Sequence, residues 1–136
     1  MTALSTTVTT TRDGLLRLAL RADAAISAVA GVPFLLVAGP LSTALGLPAW
    51  DLRLLGAAFV GYGVLVWLAA AQERISRRLA WGVIIGNTAW AVVSVVALLA
   101  DWLPLTTEGV VVTAIMALYT SVFADLQFLG LRRATR

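Results

Sequence analysis

The sequence predicts an all-α polytopic membrane protein, a bundle of four transmembrane helices, and three observations predict it. Hydrophobic residues make up 60% of the 136-residue chain and charged residues 12%, whereas water-soluble domains average roughly 45–50% and about 25%. The mean hydropathy is +0.94. The apolar residues are also gathered into long runs. Residues 79–100, LAWGVIIGNTAWAVVSVVALLA, carry no charge, and as a helix they reach ~33 Å, about the thickness of a bilayer core. That run is apolar all round, whereas a helix facing water keeps a polar side.

Residues 1–11, MTALSTTVTTT, are polar and lack apolar periodicity, which predicts a flexible tail. The transmembrane domain then spans 12–131. Its first helix, about 15–38, opens where Leu15, Leu16, Leu18 and Leu20 alternate with Arg12, Arg17 and Arg21, arginines placed to reach lipid headgroups. Pro33 should bend this helix or loosen its last turns, and Gly39-Pro40 should end it. Sequence without charge from 24 to 50 exceeds the roughly 7–15 residue core of a signal peptide, which favours a retained helix over cleavage after Ala44. Residues 41–51, with Pro48 and Trp50, read as a loop or a short interfacial helix. A second helix is expected at about 52–72, where Gly56, Gly61 and Gly63 permit close approach of a neighbour. ERISRR at 73–78 is a tight turn, 79–100 the third helix and DWLPLTT at 101–107 the next loop. The fourth helix is expected at about 108–131, followed by a basic tail at 132–136.

Every basic residue is arginine, and their positions predict orientation. Arg12, Arg17 and Arg21, then Arg74, Arg77 and Arg78, then Arg132, Arg133 and Arg136 fall on one side, with only Arg53 on the other. The excess of positive charge on cytoplasmic loops then predicts both termini in the cytoplasm of a bacterium, with the chain multi-pass in the plasma (inner) membrane. Trp50 and Trp102 would mark the outer interface, Trp67 and Trp81 the inner one. The basic pI near 10.6 thus reflects topology, and nucleic acid is not an expected partner. The expected partners are the lipid bilayer and either another membrane protein or further copies of this chain.

Cysteine and histidine are both absent. Disulfides, thiol chemistry, His-ligated haem and the usual zinc sites go with them, and no cofactor or metal is expected. The commonest general base at neutral pH is missing too. No activated-nucleophile constellation is visible, so the chain does not read as an enzyme.

Chemistry, if present, falls to polar residues inside the spans, where acids and amides are costly and face the bundle interior or water. Asp23, Asn87 and Asp125 form the candidate cluster, all in the cytoplasmic half, with Arg21 as a candidate counter-charge. Gln127 qualifies with them as an intramembrane polar position or simply faces headgroups, and Tyr62 and Trp90 are expected to be core. Small-residue stripes suggest the packing faces: Asp23, Ser27 and Gly31; Thr113, Ala117, Ser121 and Asp125; Asn87 with Ser94; and a GxxxG at Gly82 and Gly86. Two readings compete for the acids and amides. They are interhelical packing contacts, or they are a proton or cation relay.

The segments LRADA at 20–24 and LRLLGAAFVGYGVLVWLAA at 52–70 resemble the uncharacterised small four-helix inner-membrane proteins of high-GC bacteria. The second is also similar to DoxX-like proteins. The resemblance implies a four-helix membrane fold and transfers no functional residue, because that group has no agreed activity. Two functions are therefore expected to compete. The first, and the expected one, is a non-catalytic accessory or assembly component of a membrane complex, suggested by short loops and helix faces free for docking. The second, its alternative, is a small transporter or proton-coupled pathway built on the intramembrane carboxylates.

Overall fold

The computed structural model describes residues 13–136, so the expected tail at 1–11 and Arg12 lie outside the described residues. Five helices follow one another: α1 Gly14–Leu36, α2 Ala38–Leu45, α3 Ala49–Ala70, α4 Arg77–Leu99 and α5 Thr107–Ala134. All but α2 are long and apolar enough to cross a membrane. Their outward surface is apolar as well: Leu18, Val29, Leu36 and Leu99 are each more than 60% exposed, an exterior that suits lipid and not water.

Pro40 acts differently from expectation. Gly39-Pro40 does not close α1; it sits in the first turn of α2. The break falls at Val37, whose N–H bonds back to the carbonyl of Pro33. Pro40 has no N–H for the Leu36 carbonyl, so α1 cannot run straight on, while a proline in a helix's first turn costs nothing because that N–H would be unpaired anyway. At the other end of the chain α5 continues to Ala134, so Arg132 and Arg133 are helical rather than part of a tail.

Helix α1 is the centre of the bundle. It packs along α3 and against α5, and α5 packs on α4, whereas α3 and α4, consecutive in sequence, scarcely approach each other. The α1–α3 seam is close because it is built from glycine. A Cβ on Gly31 would lie 2.7 Å from the carbonyl oxygen of Gly56, and one on Gly63 would lie 2.5 Å from that of Ala24. Small residues let backbones meet where lipid supplies no hydrophobic drive.

Each end of the bundle has its own tie. At the arginine-poor end the Thr106 N–H bonds to the Leu45 carbonyl at 3.1 Å. The Thr106 hydroxyl caps α5 by accepting from the Gly109 N–H at 3.1 Å while donating to the Ala44 carbonyl. Gly46 between them has φ +81°, and a Cβ there would meet the Pro104 carbonyl oxygen at 2.3 Å, so both conformation and space require glycine. At the arginine-rich end the Arg17 guanidinium donates to the carbonyl of Ala70, the last residue of α3, and to those of Gln72 and Glu73 in the turn that follows. Arg17→Met keeps the aliphatic stem and removes these bonds. It should cost about 1 kcal/mol, read as a lower unfolding midpoint in detergent and faster amide exchange at residues 71–73.

Candidate functional site

Among the described residues Asp23 is the one charged side chain that is buried, at 0% exposure. Helix α1 carries it about 14 Å along from Gly14, between the arginine-rich end and the middle of the bundle. Isolated, a carboxylate there would be costly. The sequence supplies donors from every long helix instead. Oδ2 accepts from the Tyr62 hydroxyl of α3 at 2.7 Å, from Nε2 of Gln127 on α5 at 2.8 Å and from Nδ2 of Asn87 on α4 at 2.9 Å. Oδ1 accepts from the Tyr119 hydroxyl of α5 at 3.1 Å and from the Ser27 hydroxyl, one turn along α1, at 3.3 Å. Nδ2 of Asn87 also donates to Oε1 of Gln127 at 3.2 Å. None of these partners is cationic. Among the described residues no buried side-chain nitrogen or oxygen lacks a partner.

The structure brings Asp23 and Asn87 together but leaves Asp125 out. Asp125 is on the exposed face of α5, and Gln127 occupies the position expected for it. Two residues apart on a helix differ by about 200°, so only one of the pair can face inward. The expected i+4 stripe fails for a related reason: each four-residue step advances about 40° around the helix, and over twelve residues the stripe winds off the interface. Ala117 is buried, whereas Ser121 is exposed and its hydroxyl bonds to its own helix at the Ala117 carbonyl. The buried face of α5 steps alternately by three and four, through Ala117, Thr120, Ala124, Gln127 and Leu131.

Arg21 is not the counter-charge of Asp23. It is exposed and lies over the Trp67 ring, 5.7 Å from the centroid, because it is two residues from Asp23 and so on the other side of α1. Ser27 lies beside Asp23, and Gly31 is buried in the α1–α3 seam. Gly82 and Gly86 are exposed, and a Cβ on either would meet nothing within 4 Å; they make no helix contact within the bundle. Sequence reasoning took Tyr62 as core, did not single out Tyr119 and left Gln127 between the interior and the headgroups, whereas all three donate to Asp23.

A cleft of about 220 Å³ opens beside this network, where α3 and α4 stand apart. Ser27, Tyr62, Asn87 and Thr120 line its polar wall; Phe59 and Trp90 face it from α3 and α4, their rings edge-on at 5.5 Å. Trp90, Gly86 and Ala58 are exposed, so the cleft mouth is on the outer surface of the bundle. No protein-family model matches the chain, and no curated protein or solved structure matches it.

Proposed function

We propose that the chain is a small transporter of the bacterial plasma membrane, a cation-handling, proton-coupled pathway in which Asp23 is the charge-bearing group. The observation that carries this reading is the fully buried Asp23, held by side chains of all four long helices with no cationic partner. Ionisable residues inside a membrane are rare and mark ion pathways and proton relays. The open cleft beside this acid favours transport over a subunit that serves only to assemble others. The arginine distribution supports an orientation with both termini and the 71–76 turn in the cytoplasm.

Liposomes holding purified protein and a trapped pH dye, with an inside-negative potassium diffusion potential imposed, test the reading. Wild-type protein should acidify the lumen faster than protein-free vesicles. Asp23→Asn should abolish the difference, and Asp125→Asn, on the outer face, should keep it. Equal rates in wild type, Asp23→Asn and empty vesicles would end the proton-coupled reading. A second polypeptide at fixed stoichiometry in native mass spectrometry would favour the accessory-subunit reading in its place.

A further inference from the structure

Hydrogen-bond inventory defines what the cleft can bind. A serine, threonine or tyrosine hydroxyl has one proton and a primary amide has two. Ser27 and Tyr62 spend theirs on Asp23, and Asn87 spends its pair on Asp23 and Gln127. Thr120 spends its own on the backbone of its helix, at the carbonyls of Met116 and Ala117. Apart from the Trp90 indole N–H, each polar side chain of the cleft wall therefore keeps only oxygen lone pairs to offer an occupant. Behind two of those oxygens stands the Asp23 carboxyl, one hydroxyl away. The remaining wall includes the indole of Trp90 and the ring of Phe59, whose faces attract cations.

From this we infer that the cleft between α3 and α4 is a binding site for a small organic ammonium ion bearing an apolar or aromatic tail. The ammonium donates to Ser27 Oγ and Tyr62 Oη, and the tail lies against Trp90 and Phe59. Carboxylates and other acceptor-only groups are disfavoured, because only the Trp90 indole N–H could meet them while the lone pairs of Ser27, Tyr62, Asn87 and Thr120, with the Asp23 carboxyl behind, face them. The volume of about 220 Å³ is below the roughly 300 Å³ where sites for drug-sized ligands begin, which restricts the occupant to a few carbons beyond one ring. The mouth on the apolar exterior admits ligand from the hydrocarbon region. This inference rests on the transport reading for its physiological meaning, and names the substrate class of that same site.

The test is calorimetric titration of the full-length chain in phosphatidylcholine nanodiscs, with empty nanodiscs subtracted. Phenethylammonium should bind saturably at one per chain, and hydrocinnamate, of the same shape and opposite charge, should bind about tenfold more weakly or not at all. Two variants locate the site. Asp23→Asn should weaken phenethylammonium about tenfold. Gly86→Leu, at an exposed cleft position where a Cβ meets nothing within 4 Å, should fill the cleft and abolish binding without touching the network, so a folding defect in the first variant leaves the test intact. Equal binding of hydrocinnamate, or phenethylammonium binding unchanged in Gly86→Leu, would overturn the inference. Asp23-dependent proton flux alongside either of those results would leave the transport reading standing. Conversely, specific ammonium binding in a protein with no proton flux would uphold the site while removing the proton-coupled transport reading.

Discussion

Asp23→Leu should destabilise the bundle by about 3 kcal/mol, since interhelical hydrogen bonds in membranes average about 0.6 kcal/mol each and unpaired buried donors add their own cost. The substitution removes the acceptor shared by Tyr62, Asn87, Gln127, Tyr119 and Ser27. Asn87 and Gln127 can still bond each other, but the tyrosine hydroxyls have no other side-chain acceptor of comparable geometry: the Asn87 Oδ1 is 3.3 Å from Tyr62, and the second acceptor of Tyr119 is the backbone carbonyl of Asp23, also at 3.3 Å. Asp23→Asn conserves shape but turns one acceptor oxygen into a donor. With its NH₂ on the Oδ1 side the amide meets only the Tyr119 and Ser27 hydroxyls, whose oxygens can accept in turn, so well under half of the leucine penalty is expected. Unfolding in SDS followed by circular dichroism measures both. A loss below about 1 kcal/mol for the leucine variant would mean that the donors find new partners easily, and that the network is not what binds the helices.

Gly63→Val has the second largest expected effect, about 2–3 kcal/mol. A Cβ at Gly63 would lie 2.5 Å from the Ala24 carbonyl oxygen, 2.7 Å from the Ala28 Cβ and 3.0 Å from the Ala28 nitrogen. None of these atoms ends a flexible side chain, so relief requires α1 and α3 to move apart. Gly63 follows Tyr62 and Ala24 follows Asp23, hence the same movement lengthens the 2.7 Å bond between the two. The variant should lose stability and, in parallel, the near-ultraviolet dichroism of an ordered tyrosine. Gly82→Leu, exposed and with open space at its Cβ, should stay within about 0.5 kcal/mol of wild type in the same unfolding assay. A Gly63→Val protein as stable as wild type would show that the seam is looser than its geometry implies.

Much of the fold was legible in the sequence because span length and uninterrupted hydropathy are properties of single segments. The expected helices at 15–38, 52–72, 79–100 and 108–131 differ from the observed ones by three residues or fewer at each end, and the 41–51 region holds the end of the short α2. The site was legible only in part. Asp23 and Asn87 stand out because each is polar in an apolar run. Asp125 stands out equally and lies outside, since conspicuousness says nothing about which way a side chain faces. Facing follows from the 3.6-residue turn, and the alternating steps that lead to Gln127 distinguish the true interior of α5 from the i+4 series that leads to Asp125. Tyr62 and Tyr119 were hidden for a different reason. An amphipathic ring is at home in any apolar helix, and its hydroxyl becomes informative only when a third helix places an acceptor beside it.

The order of pairing has a consequence for biogenesis. With α1 packed on α3 and α4 on α5, the chain is two helical hairpins, and the N-terminal one is synthesised first. At that stage Asp23 has only Ser27 and Tyr62 for company. Asn87 arrives with the next helix, and Tyr119 and Gln127 with the last. Completion of the acid's coordination is thus deferred until the second hairpin docks, so the nascent first hairpin holds a half-satisfied polar group in the bilayer. A chain that stalls there keeps three of the five donors of Asp23 out of reach, and docking of α4 and α5 supplies them.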